Sequence, residues 1–248
     1  MALTELHVER IAGPGDRPLL VFLHHGLGSV SLWREFPATL ARTLELPALL
    51  YDRRGHGRSE PVVTPRPPDY LDREAGVLEQ LLIETGTKDF ILIGHSDGGT
   101  IALLYAARPD AVPPRGIVSE AAHLFVEDVT RAGIRGTVNA YGAGLREKLI
   151  RYHGSKTDRL FWDWAGLWLS PAFDDFDIRP RLNTVRCPVL ALQGEQDEYG
   201  TPAQVAAIEA SCSGPVRALM IPACGHEPHF QARKITSEAI EREISSWR

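Results

Sequence analysis

A serine between glycines, a histidine behind a glycine and an aspartate three residues past a glycine are the groups in this chain best suited to nucleophilic chemistry. Gly94-His95-Ser96-Asp97-Gly98 is a G-x-S-x-G pattern, preceded by Phe90-Ile91-Leu92-Ile93 and followed by a helix-like stretch that opens near Thr100. Such a pattern occurs by chance in ordinary turns. After an apolar strand and before a small-residue helix it has a mechanical meaning. The turn leaves no room for side chains at the glycines, and the serine hydroxyl is lifted to the amino end of a helix, whose dipole favours developing negative charge.

A serine hydroxyl is a poor nucleophile until a base takes its proton. Of nine histidines, His226 stands in the glycine-bearing loop Cys224-Gly225-His226-Glu227-Pro228-His229, just after an apolar run. His229 reads as packed or solvated. His95 adjoins the serine but points away from it, so it reads as structural. A carboxylate must orient the imidazole. Asp197, in Gly194-Glu195-Gln196-Asp197-Glu198-Tyr199, is the candidate, with Glu195 and Glu198 facing solvent. Glu120, after Gly116 to Ser119, is a second possibility. An oxyanion would need two preorganised donors. The N–H of Asp97 is one, and the turn His25-Gly26-Leu27-Gly28-Ser29 offers the other, at Leu27.

These groups must be held by a scaffold, and the chain supplies one. Short apolar runs at Leu19 to Leu23, Ala48 to Tyr51, Phe90 to Ile93, Gly116 to Val118, Val189 to Leu192 and Val216 to Ile221 read as strands buried on both faces. Helical patterns lie between them at Leu32 to Leu44, Leu71 to Thr85, Thr100 to Ala107 and Pro202 to Ala210, and a final one covers Thr236 to Trp247. The alternation predicts an α/β fold, a mostly parallel sheet with helices on both faces, whose strands present functional groups at their carboxyl ends. It breaks between Ala121 and Thr184, where helix-like segments carry Trp162, Trp164 and Trp168. That stretch reads as a helical insertion. Trp164 and Trp168, at i, i+4, read first as its interior, and Phe161, Trp162, Trp168 and Phe173 are the candidates from which a pocket lining must come.

Composition narrows the function classes. The chain has 248 residues, 44% hydrophobic and 24% charged, with a formal net charge of −5, an ordinary globular balance. No basic stripe suggests nucleic acid as a partner. The apolar runs are far shorter than the roughly 20 residues of a membrane span. Met1 leads into polar residues without a basic and then apolar leader, so the expectation is a cytoplasmic protein with free thiols at Cys187, Cys212 and Cys224. Gly26-x-Gly28 lacks the third glycine of a dinucleotide fingerprint, and His226-x-x-His229 lacks the further ligands of a metal site, so no cofactor or metal is expected.

With these motifs in place the whole chain resembles the α/β-hydrolase superfamily, as a capped, esterase-like member. His25-Gly26 is similar to its oxyanion turn, and Gly94 to Gly98 to its nucleophile elbow. Gly194-x-x-Asp197 and Gly225-His226 resemble its acid and base loops, and the order Ser96, Asp197, His226 is that of its triad. Asp52-Arg53-Arg54-Gly55-His56-Gly57-Arg58-Ser59 is similar to its D-x-R-G-x-G-x-S stretch, structural in relatives. The resemblance implies a core of residues 1–120 and 185–248 and a cap of residues 121–184. It also implies hydrolysis of a small-molecule carboxylic ester through an acyl-enzyme. Carbon–carbon, lactone and thioester hydrolysis are rival activities on this fold. Members that cleave carbon–carbon bonds commonly carry Asn and Met around the serine, where this chain has His95 and Asp97. A ligand receptor with little turnover is the rival of another class, and the intact set of three groups argues against it.

Overall fold

The computed structural model describes residues 5–62 and 65–247. Residues 1–4, read above for a leader, lie outside that description. Seven strands form one sheet: β1 (Val8–Ile11), β2 (Leu19–Leu23), β3 (Ala48–Tyr51), β4 (Phe90–His95), β5 (Ile117–Glu120), β6 (Val189–Gly194) and β7 (Val216–Ile221). The sheet order is β1-β3-β2-β4-β5-β6-β7, with β1 antiparallel to β3 and every other pair parallel. The six expected strands are present. β1 was not expected: its middle residues are Glu9 and Arg10, both exposed on the sheet edge, so it has no apolar run to betray it.

Each buried strand sends alternate residues to opposite faces, and each face has its own helices. Leu20, Phe22, Ile91, Ile93, Leu190 and Leu192 pack with α1 (Phe36–Leu44) and α9 (Arg233–Ser246). Val21, Leu23, Leu92 and Ala191 pack with α2 (Tyr70–Glu84), α3 (Asp97–Ala106) and α7 (Ala203–Ser211). Two buried faces explain why the strands read as continuous apolar runs rather than alternating ones. α9 docks through Ile240 and Ile244, the i, i+4 pair expected to cover the sheet.

Between β5 and β6 the chain makes no strand. It forms α4 (Asp128–Ala140), a π-helical turn at Tyr141–Leu145, α5 (Arg146–His153) and α6 (Thr157–Trp168), then short 3-10 turns. The two ends of this excursion are tied together by an isolated bridge between Phe125 and Asp177 and by the Ile178 N–H donating to the Leu124 carbonyl at 2.8 Å. The remaining helix, α8 (Pro228–Gln231), follows β7 and leads into α9.

Candidate active site

Ser96 is the hinge of the turn between β4 and α3. Its φ of 54° and ψ of −118° lie where a residue with a Cβ is strained. That strain persists because the surroundings demand it. A Cβ on Gly94 would run into the Gly98 carbonyl, and one on Gly98 into the carbonyl of Leu23 on β2. The helix starts at Asp97, directly after the serine, rather than near Thr100, because the whole reversal is made at one residue.

His226 joins the three groups. Its Nε2 lies 3.0 Å from Ser96 Oγ and its Nδ1 2.8 Å from Asp197 Oδ1. Asp197 also accepts the Tyr199 N–H at 2.9 Å, which fixes the carboxylate in its loop. Burial disfavours the charged form of His226. The bond to Asp197 and the charges of Asp197, Glu198 and Glu227 together outweigh it and raise the pKa above the ordinary imidazole value. Burial pushes Asp197 upward, and His226 more than reverses it, so this carboxyl stays below its usual range. The three residues come from the ends of β4, β6 and β7, the carboxyl edge expected to carry function.

Glu120, the other carboxylate considered, does not reach His226. It is buried at the end of β5 and accepts from the His229 N–H at 2.8 Å, with its Oε1 2.6 Å from His229 Nδ1. His229 is therefore half of a buried pair rather than solvated. His95 is structural as expected: Nε2 lies 2.7 Å from the His226 carbonyl and so braces the loop that carries His226. Burial lowers its pKa to about 3.

A cavity of about 260 Å³ opens over Ser96. Its floor includes His25, Gly26, Leu27, Asp97 and His226, and its walls include Ile134, Leu145, Leu149, Trp164, Trp168 and Tyr199. Leu27 and Asp97 thus line the same cavity as the serine. Of the four expected wall residues only Trp168 is there. Trp162 is 52% exposed on the outer side of α6. Phe161 is buried against Tyr141, with ring centroids 3.7 Å apart, and Phe173 is buried against Trp168 and Phe176. Trp164, expected in the interior, is buried there and lines the cavity as well. Its indole Nε1 presses on Gly26 so closely that a Cβ there would sit 2.5 Å away. Trp164 and Trp168 share a helix face at i, i+4, and that face is the one turned to the serine.

Two further groups were not foreseen. His123, just past β5, lines the cavity and stacks on His226 with centroids 5.7 Å apart. Burial takes its pKa down to about 4, so it is neutral. Arg53 is buried and pairs with Asp97, Nη1 and Nη2 each 3.3 Å from Oδ2, while the Tyr70 hydroxyl donates to the same oxygen at 2.9 Å. Trp168 Nε1 donates in turn to the Tyr70 hydroxyl at 2.9 Å. The motif Asp52–Ser59 pointed to this region, but nothing in its letters shows that Arg53 reaches the residue after the serine.

Comparison with known proteins bears on the family and the fold. A profile described as "Alpha/beta hydrolase family" matches residues 20–239. The chain is 30% identical over 123 residues to 2-succinyl-6-hydroxy-2,4-cyclohexadiene-1-carboxylate synthase of Serratia proteamaculans, a match spanning 50% of this chain and 46% of that protein. The chain therefore spans about half the length of that relative. It is 29% identical over 220 residues to a bifunctional esterase/perhydrolase of Acinetobacter calcoaceticus, covering 75% of this chain and 76% of the other. Among solved structures it is similar to an esterase from Exiguobacterium antarcticum, with a TM-score of 0.76, 18% identity and coverage of 97% and 95%. It is also similar to the enol-lactonase from Burkholderia xenovorans LB400, with a TM-score of 0.72, 20% identity and coverage of 97% and 96%.

Proposed function

From the premise that the chain belongs to the alpha/beta hydrolase family, we propose that it is a serine hydrolase that cleaves a small carboxylic ester through an acyl-enzyme. The observation that carries this reading is the imidazole of His226, held between Ser96 Oγ at 3.0 Å and Asp197 Oδ1 at 2.8 Å. Ser96 Oγ attacks the ester carbonyl while His226 Nε2 takes its proton. Asp197 holds Nδ1–H, fixes the tautomer and stabilises the imidazolium. The Leu27 and Asp97 N–H groups receive the oxyanion. The tetrahedral adduct collapses, the leaving alcohol takes the proton from His226, and Ser96 is left acylated. Water, deprotonated by His226, attacks the acyl carbonyl, and the second collapse releases the acid and restores the hydroxyl.

Residues 121–184 act in this reading as a cap over a core of residues 1–120 and 185–248. The cap's Ile134, Leu145, Leu149, Trp164 and Trp168 give the cavity an apolar wall, which suits an uncharged acyl group. A cavity of about 260 Å³ is below the usual range of sites for drug-sized ligands, so the acyl group is short. The relative that is an esterase and perhydrolase supports ester chemistry.

The test is a fluorophosphonate probe together with a p-nitrophenyl acyl ester. The probe labels Ser96 alone, the ester gives a burst of p-nitrophenol followed by turnover, and Ser96→Ala loses both. Labelling elsewhere, or an active Ser96→Ala protein, refutes the reading. A panel that also holds lactones, thioesters and dienoates shows whether ester cleavage is the preferred reaction.

A further inference from the structure

Three successive carbonyls of the turn after β2 are each met by a buried side chain from elsewhere in the chain. The Arg53 guanidinium donates from Nη2 to the His25 carbonyl at 2.8 Å. His56 Nε2 lies 3.0 Å from the Gly26 carbonyl, and His153 Nε2 lies 3.0 Å from the Leu27 carbonyl. Arg53 and His56 belong to the loop after β3, and His153 ends α5.

A trans peptide points its C=O and its N–H in opposite directions. The Gly26 carbonyl and the Leu27 N–H are the two ends of one peptide unit. A side chain that holds that carbonyl on the protein side aims the Leu27 N–H the other way, toward the cavity over Ser96. Leu27 lines that cavity, and among the described residues no hydrogen bond takes up its N–H. The flanking peptides are fixed in the same manner. His153 Nδ1 accepts from the Gly57 N–H at 2.9 Å, so its single proton sits on Nε2 and donates to Leu27. Arg53 also bonds Asp97, so one guanidinium ties the turn to the residue that carries the second donor. His56 Nδ1 faces the Arg54 carbonyl at 2.9 Å, which leaves a neutral ring one proton for two carbonyls. Burial and the nearby Arg53 charge keep that ring neutral.

Resting on the serine-hydrolase reading, we propose that His56 is a positioning residue of the oxyanion hole: its Nε2–H holds the Gly26 carbonyl and so aims the Leu27 N–H, with Arg53 and His153 fixing the peptides on either side. The proposal requires the single His56 proton on Nε2 rather than on Nδ1, which faces the Arg54 carbonyl. The Asp52–Ser59 loop thus acts on the chemical step, although none of its side chains touches the substrate.

Glutamine and asparagine separate this role from simple packing. Glutamine can place an amide N–H near the position of Nε2, and asparagine only near that of Nδ1. His56→Asn is expected to lower kcat by more than tenfold, toward the roughly 10²–10³ that loss of an oxyanion donor costs, with little change in KM. Inhibition by phenylboronic acid, whose tetrahedral serine adduct places an oxygen in the hole, weakens in parallel. His56→Gln recovers most of both. Equal behaviour of the two variants, or a change confined to KM, overturns the proposal. If His56→Asn does not fold, His153→Gln, which can keep the bond to Leu27, is compared with His153→Asn, which can keep the bond from Gly57. The same contrast is expected there, and its absence overturns the proposal. Fluorophosphonate labelling of the unmodified protein separates the two levels: no label on Ser96 removes the underlying reading, whereas a labelled Ser96 with indifferent His56 and His153 variants removes this proposal alone.

Discussion

In the proposed mechanism His226 must be neutral to accept a proton from Ser96, and its surroundings work against that. An ordinary imidazole titrates near pH ~6.5, and here Asp197, Glu198 and Glu227 overcome burial to raise the value. The rising limb of kcat/KM is therefore expected to have its midpoint above pH ~6.5 and to follow one ionisation. Glu198→Gln and Glu227→Gln each move that midpoint down, because each removes a charge that favours the imidazolium. A midpoint that stays put in both variants contradicts the electrostatic account. The two candidate carboxylates also separate cleanly. Asp197 holds His226, whereas Glu120 holds His229. Asp197→Asn is expected to cost roughly 10⁴ in kcat, by analogy with the best-studied triad. Glu120→Gln keeps turnover and instead lowers the unfolding free energy by about 1–3 kcal/mol, the cost of disturbing a buried hydrogen-bonded group. Kinetics and urea unfolding on both variants decide this, and a catalytic loss at Glu120 with an intact Asp197→Asn enzyme reverses the assignment. Ser96, Asp197 and His226 were visible in the sequence because each follows an apolar strand and stands among turn residues. Glu120 carried the same signature, but its pairing with His229, and the place of His123, did not show. Their meaning comes from partners more than a hundred residues away or from a ring stacked across the site.

At the scale of elements, the inner strands were legible because two faces are buried, β7 because its residues are mostly apolar although only Ile221 is fully buried, and the helices wherever one face is buried. β1 fails the first condition, since only its end residues are half-covered. The tryptophans of α6 show a different limit. Spacing at i, i+4 says that Trp164 and Trp168 share a helix face, but not which way that face turns. The answer depends on how α6 packs over Gly26 and Tyr70, which is tertiary information. The structure gives the three tryptophans different expected effects. Trp164→Ala and Trp168→Ala enlarge the cavity and shift the preferred acyl chain of p-nitrophenyl esters toward longer members. Trp162→Ala, on the outer face, leaves the chain-length profile unchanged. A profile altered by Trp162→Ala and untouched by the other two would mean that α6 presents its opposite face to the substrate. Trp168 has a second duty, because its indole N–H begins the chain that runs through Tyr70 to Asp97. Trp168→Phe removes that donor at little cost in volume. It is expected to lower kcat on the shortest ester more than Trp164→Phe does, and equal kcat values for the two would leave the Tyr70 link without a catalytic role.

For the molecule as a whole, the dense packing of histidines has a thermodynamic consequence. Burial lowers the pKa of His24, His25, His56, His95, His123 and His153, with neighbouring cations and other rings adding to the effect at several of them. The folded chain keeps these six rings neutral at pH values where an unfolded chain protonates them, near pH ~6.5 and below. The unfolded state then binds more protons, so stability falls as the pH drops through and below that value. Each such ring disfavours the folded state further as the pH falls, so the losses accumulate over the same range. Asp197 and Glu120, both held below the usual carboxyl range, add to the loss at still lower pH. His226, with its raised pKa, opposes the trend with a contribution that is present below pH ~6.5 and lost as the pH rises through its folded value. One ring does not offset six. Urea midpoints are therefore expected to fall steeply between pH 7 and 5, with a slope corresponding to several protons. The activity profile should then show two separable losses on acidification. The first is a reversible one-proton decline as His226 is protonated, with the fold intact by circular dichroism. The second, at lower pH, is a cooperative multi-proton unfolding. Urea midpoints that stay level from pH 7 to 5 would show that the six rings are already protonated in the folded chain, or that water reaches them.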